Sequence, residues 1–140
     1  MTLALEVVPL PVTNVDRALA FYTERAGFIL DVDYRPTPEF RVVQLTPPDS
    51  TCSVHLVTAD SPARVRTLCL VTTDLAAERA KLVARGVAVG EVRHKEPLET
   101  WCGGWSPGLD PHRRDYASFA DFADPDGNSW TVQERGYRAS

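Results

Sequence analysis

The chain has 140 residues, 44% of them hydrophobic and 24% charged, which suits one ordinary globular domain with its own core. A net charge of −4 without a basic run argues against a nucleic-acid or anionic-membrane partner. No apolar stretch approaches the roughly 20 residues of a membrane span and no basic-then-apolar leader opens the chain, while three cysteines without a CxxC spacing read as small buried hydrophobes; together these point to the cytoplasm.

Leu3 to Val12 reads as a strand whose prolines, Pro9 and Pro11, suit an edge or an irregular end. Asn14 is placed to cap a helix from Val15 to about Ala26. Val15, Leu19, Tyr22 and Ala26 share one face of it, Ala18 and Phe21 lie alongside, and Gly27 ends it. Strands Phe28 to Tyr34, Phe40 to Thr46 and Thr51 to Thr58 follow, with Pro47-Pro48-Asp49-Ser50 as the turn between the last two.

After a linker over 59–64 the order starts again. Val65 to Thr72 reads as a strand, and Asp74 caps a helix from Leu75 to about Arg85 that Gly86 ends. Leu75, Leu82 and the row Ala76, Ala80 and Val83 are expected to face inward. Val87 to about His94 is expected to be a strand, followed by a long loop from roughly Lys95 to Asp115. Tyr116 to Ala123 and Asn128 to Glu134 form a last hairpin around Asp124-Pro125-Asp126-Gly127, and 135–140 is a tail.

The capping residues Asn14 and Asp74 lie 60 positions apart, and Gly27 and Gly86 lie 59 apart. Two βαβββ units at matched spacing, about 3–58 and about 65–134, imply an α+β fold with helices on one face of the sheet. The other face is then left to bury or to bind something.

The pieces Leu10-Pro11-Val12, Asn14-Val15-Asp16-Arg17-Ala18, Phe21-Tyr22 and Gly27-Phe28 resemble the vicinal oxygen chelate superfamily, also called the glyoxalase/bleomycin-resistance/extradiol-dioxygenase family. In the second half Val71-Thr72-Thr73-Asp74-Leu75 and Leu82-Val83-Ala84-Arg85-Gly86-Val87 carry the likeness, and Asp124-Pro125-Asp126-Gly127-Asn128-Ser129-Trp130 is its most specific part. The resemblance implies a curved mixed-sheet cleft with helices on the outer face, and a homodimer. It also implies four metal-ligand positions in the metal-dependent members, which polarise vicinal oxygens of a substrate. Carried onto this sequence, these positions fall at Val7, His55, Leu68 and Thr131. One imidazole and one hydroxyl are too few donors for a divalent ion, which wants three or four. His94 and His112 lie elsewhere, so no metal and no other cofactor is expected.

Strand alternation sorts the remaining candidates. Cys52, Val54 and Leu56 suit the helix side, which leaves Ser53, His55 and Val57 facing the cleft. Phe40, Val42 and Gln44 fall on the cleft side of their strand, and Ser129, Thr131 and Gln133 on that of theirs. Gln44, His55 and Thr131 would then be polar groups within an apolar wall, the composition of a small-molecule pocket. In the long loop, Trp101 and Trp105 flank Gly103-Gly104 and are placed to close over an aromatic ligand; a sheet-edge cover or a dimer contact is the bland alternative. Arg113 and Arg114 are placed to clamp a carboxylate or to lie on the surface, and Tyr116 adjoins them. The Asp16/Arg17 and Glu78/Arg79 pairs read as solvated helix faces.

The leading expectation is a protein that binds a small hydrophobic or aromatic molecule without a metal, for sequestration or resistance. The alternative is a metal-independent lyase, isomerase or cyclase with His55 as acid and base. A metal-dependent glyoxalase-type lyase or dioxygenase is a third reading. Fold alone licenses none of these reactions.

Overall fold

Asn14 and Asp74 adopt extended backbone and each closes the first turn of a helix. Asn14 Oδ1 accepts the Arg17 amide at 3.0 Å and Asp74 Oδ1 accepts the Ala77 amide at 3.1 Å. Each satisfies a backbone donor that the helix cannot, a contribution of about 1 kcal/mol. The computed structural model describes residues 3–61, 64–96 and 104–139. Helix α1 (Val15–Ala20) continues as a π-helical turn over Phe21–Arg25, and α2 spans Leu75–Ala84. Gly27 (φ 80°) and Gly86 (φ 90°) take the left-handed backbone that stops each helix.

The chain divides into two compact units. One comprises the residues up to Val65 together with Asp124–Asn128; the other holds Arg66–Ala123 and the residues from Ser129 on. The first contains a four-stranded sheet in the order β1-β4-β3-β2, with β1 Val7–Val12, β2 Ile29–Thr37, β3 Phe40–Thr46 and β4 Ser53–Thr58. Strands β1 and β4 run parallel and the other pairs antiparallel. The second contains a five-stranded sheet in the order β5-β9-β8-β6-β7, with β5 Leu68–Thr72, β6 Arg93–Glu96, β7 Gly104–Pro107, β8 Ser118–Ala123 and β9 Ser129–Glu134. Its strands β5 and β9 are again parallel. The fold is thus α+β with two mixed sheets, and the βαβββ order recurs, extended by one strand in the second unit.

The period-two pattern fills one face of each sheet. Leu10, Val12, Val43, Leu45, Val54 and Leu56 are buried with Ala18 and Tyr22 of the first helical segment. In the second unit Ala120, Phe122, Trp130 and Val132 are buried with Leu75 and Leu82. Each fully buried large side chain contributes about 1.5–3 kcal/mol, so these rows hold the sheets to their helices.

Three expectations need correction. The strand expected over Val87 to His94 begins only at Arg93, and the expected loop contains β7, which pairs with β6 as a hairpin. The Ala76, Ala80 and Val83 row faces solvent, because it lies about 100° around the helix from Leu75 and Leu82. The charged helix faces are solvated at Asp16 and Arg17, as expected, and also partnered. Arg17 reaches Asp126 Oδ1 at 3.2 Å, Asp16 meets Arg41 at 2.7 Å, and Arg79 donates to the carbonyls of Val89 and Gly90 at 3.1 and 2.9 Å.

The Asp124–Asn128 turn is structural. Asp124 Oδ1 accepts the amides of Asp126 and Asn128, both at 2.9 Å, and Oδ2 accepts Tyr22 Oη–H at 2.7 Å and Asn128 Nδ2–H at 2.8 Å. Asn128 also donates to the Pro11 carbonyl at 2.9 Å and accepts the Val65 amide at 2.8 Å.

Candidate functional site

The first sheet leaves the side away from its helix open. There β4 presents Ser53, His55 and Val57, β3 presents Phe40, Val42, Gln44 and Thr46, and β1 presents Val7, Pro9 and Pro11. Gln44 and His55 are opposite one another in the antiparallel register, with Pro9 beside His55 on β1. His55 is half-buried, and its ring has no hydrogen-bond partner among the described residues. Thr46 and Ser53 hydroxyls meet at 2.6 Å on the same face, and Thr46 also donates to Asp31. Around these polar groups Val7, Val32, Tyr34, Phe40 and Val57 are exposed. A separate shallow depression, lined by Arg35, Pro36, Thr37 and Pro38, lies at the β2–β3 turn and shares no residue with this polar cluster.

The open face of the second sheet is charged and aromatic. Thr131 donates to Asp121 Oδ1 at 2.7 Å, and Asp121 Oδ2 pairs with Arg93 Nη1 at 2.9 Å. The Arg93 guanidinium and the Lys95 ammonium each lie 4.4 Å from the centre of the Trp105 ring, and Phe119 meets that ring edge-on at 4.9 Å. Trp105 is a strand residue in register with Lys95, not a loop residue. Trp101 lies outside the described residues. Arg93 and Lys95 were not singled out in the sequence. Their parity on one face is legible only once β6 and β7 are known to pair.

The remaining candidates are committed elsewhere. Arg114 grips the fully buried Asp110, its Nε 2.9 Å from Oδ2 and its Nη2 3.0 Å from Oδ1, and holds that carboxyl well below the usual carboxylate range. Arg113 donates to both oxygens of the buried Glu134 at 2.6 Å and stacks over Tyr137 at 3.4 Å, so its own pKa is raised. Glu134 in turn accepts the Leu75 amide at 2.9 Å at the start of α2. Tyr116 is in left-handed backbone (φ 64°), and its hydroxyl accepts from Arg135 at 3.0 Å. Both arginines thus tie down buried carboxylates of their own chain, which accounts for their pairing in the sequence without a ligand.

The metal positions fail on the chemistry of their donors. Leu68 is in register with Trp130, on the helix side, so its placement on the open face is corrected. The 60-residue spacing of the caps puts the counterpart of Val7 at Thr67, and a shift of one residue along a strand exchanges its faces. Cys69 is in register with Thr131 and is exposed, not buried as the sequence suggested. Within the first unit the two positions offer His55 and the hydrocarbon side chain of Val7. Within the second they offer hydroxyls, with the Thr131 hydroxyl already donated to Asp121. Among the described residues no group of three or more His, Cys, Asp or Glu side chains is assembled for a metal ion. This set does not fit a divalent cation.

The family model described as Glyoxalase/Bleomycin resistance protein/Dioxygenase superfamily matches residues 4–132. Among curated proteins none matches. The solved structure of TnmS3, an antibiotic binding protein from Streptomyces sp. CB03234, is similar at 29% identity and a TM-score of 0.70, over 95% of this chain and 96% of that one. A glyoxalase/bleomycin resistance protein from the same Streptomyces strain is 29% identical with a TM-score of 0.67, over 94% of this chain and all of the other. A superfamily member from Sphaerobacter thermophilus DSM 20745 shares the fold at 24% identity and a TM-score of 0.70, over 96% of this chain and 98% of its own.

Proposed function

Because the chain belongs to the glyoxalase/bleomycin resistance protein/dioxygenase superfamily, we propose that it binds a small hydrophobic or aromatic organic molecule reversibly and without a metal, as a sequestering or resistance protein. One observation carries this reading: the paired Gln44 and His55 are the polar centre of an open sheet face whose rim is exposed valine and aromatic surface. Such a face supplies apolar area for affinity and a few placed hydrogen-bond groups for orientation. The likeness to an antibiotic binding protein at 29% identity supports the same class of ligand. We assign ligand contact to Gln44 and His55 on the first sheet, and Trp105 is a separate candidate on the second. Trp101, Thr131, Tyr116 and Arg114 are weaker candidates, the last three because their side chains are already hydrogen-bonded. Assembly as a homodimer in the cytoplasm is part of the proposal and rests on family analogy and composition.

The test is a titration of the protein's tryptophan fluorescence with bleomycin, doxorubicin and tetracycline, together with native mass spectrometry of the protein as purified. Saturable one-to-one binding of an added compound, or a copurified organic ligand, is expected. No binding to any of them and no bound ligand would overturn the reading. The same mass spectra report metal content and the number of chains in the assembly.

An enzymatic reading is favoured by one feature, the His55 ring without a hydrogen-bond partner among the described residues. An imidazole there is chemically able to take and return a proton, as a metal-independent lyase, isomerase or cyclase requires. Product formation that disappears in His55→Ala while ligand affinity persists distinguishes this reading from binding alone.

A further inference from the structure

The second sheet carries a cation held in place on an aromatic surface. Arg93 is on β6, and its guanidinium lies 4.4 Å from the centre of the Trp105 ring and 5.6 Å from that of Phe119. Its Nη1 is anchored to Asp121 at 2.9 Å, and Asp121 is itself anchored by the buried Thr131 hydroxyl at 2.7 Å. Thr131 stands at one of the positions where metal-dependent relatives are expected to carry a ligand. Here the same position steadies an ion pair instead.

An arginine has five N–H donors in a planar fork, and one ion pair leaves several of them for another acceptor. Arg93 is about one-third exposed and Trp105 about half exposed, so both are open to a ligand. Lys95 also lies 4.4 Å from the indole centre, so two cationic side chains adjoin the ring on a chain whose formal charge is −4. Steadying Arg93 before a ligand arrives lowers the ordering cost of using it.

We propose that this face selects aromatic ligands bearing an acidic group, with Trp105 as the stacking surface and Arg93 as the specificity-determining cation that meets the anion. The proposal rests on the small-molecule reading above and adds the charge of the ligand. Asp121 and Thr131 are positioning residues, because they act through Arg93.

A matched pair of dyes tests the charge. 1-Anilinonaphthalene-8-sulfonate and N-phenyl-1-naphthylamine share one aromatic skeleton and differ in the sulfonate. Their affinities are read by fluorescence titration at pH 7 and low salt on the full chain. A charged hydrogen bond predicts that the sulfonate binds about tenfold or more tightly than the neutral dye. Arg93→Gln should bring the two within about twofold, chiefly by weakening the sulfonate, while Arg93→Lys retains part of the preference. Trp105→Leu should weaken both dyes, and Arg85→Gln, a cation at the end of α2, should change neither. Thermal melts confirm that each variant is folded.

Equal affinity of the two dyes for the unaltered protein, or a sulfonate preference that survives Arg93→Gln, overturns the charge proposal and leaves small-molecule binding standing. Failure of both dyes to bind overturns the charge proposal too, and the antibiotic titration above decides the binding reading separately.

Discussion

Gln44 and His55 face each other across two antiparallel strands, half-buried on the side of the first sheet that no helix covers. An amide and an imidazole side by side offer a ligand both donors and acceptors at a fixed spacing, because the register of β3 and β4 sets their separation. Replacing either by alanine removes one or two neutral hydrogen bonds. Each single variant should therefore weaken binding of the antibiotic found in the titration by about 3- to 30-fold. Isothermal titration calorimetry checks this, with an unchanged melting temperature as the sign that only the site was altered. Unchanged affinity in both variants would move the ligand away from this pair.

The Tyr22 hydroxyl gives a second prediction. It is fully buried and donates to a carboxylate that already accepts three other hydrogen bonds. Tyr22→Phe keeps the ring packed against Phe21 and Phe28 at 5.2 Å but removes one charge-assisted bond. A loss of about 1.5–3 kcal/mol in unfolding free energy is expected, measured by urea denaturation. A loss below about 0.5 kcal/mol would mean that the remaining three donors satisfy Asp124 without help.

Acid should find Asp110. Arg114 holds its carboxyl below the ordinary range in the folded protein, so the group favours the folded state while it is ionised. For a depressed carboxyl that contribution is fully present above the unfolded value of about 3.9, and it is lost as pH falls from there through the folded value. Urea midpoints should thus fall more steeply below about pH 4 in the unaltered protein than in Asp110→Asn. Between pH 5 and 8 the two should differ by a constant offset. Parallel curves down to pH 2.5 would refute the assignment.

Glu134 joins two elements, as it accepts both Arg113 donors at 2.6 Å and the first amide of α2 at 2.9 Å. Glu134→Gln keeps the shape and removes the charge, leaving the largely buried Arg113 guanidinium against a neutral amide. We expect a cost of about 3 kcal/mol, since one member of a buried pair is lost. Hydrogen exchange should speed up at Leu75 and the first turn of α2 before it does so in β8 or β9. Exchange that accelerates evenly across the second unit would show that the residue does not cap the helix.

Much of this architecture was legible from short-range chemistry. Asn14 and Asp74 cap helices where an extended residue with a side-chain oxygen precedes an apolar period, and Gly27 and Gly86 stop them where only a left-handed residue fits. The alternation along β3, β4 and β9 sorted the helix-facing side chains, because a strand with one buried face must repeat every second residue, but Ser53 and Thr131, expected on the open side, are buried as well.

Other features depended on which distant segments meet. A strand as short as β7 has no periodicity of its own and exists because β6 offers it a hydrogen-bonded edge. Leu68 and Cys69 exchange faces with a register set by β9, more than 60 residues away. Arg113 and Arg114 look like free cations in a list of residues, and they are spent on Glu134 and Asp110 because folding leaves those carboxylates without water. Local propensity speaks for a residue's own backbone; its face and its partner are properties of the pairing.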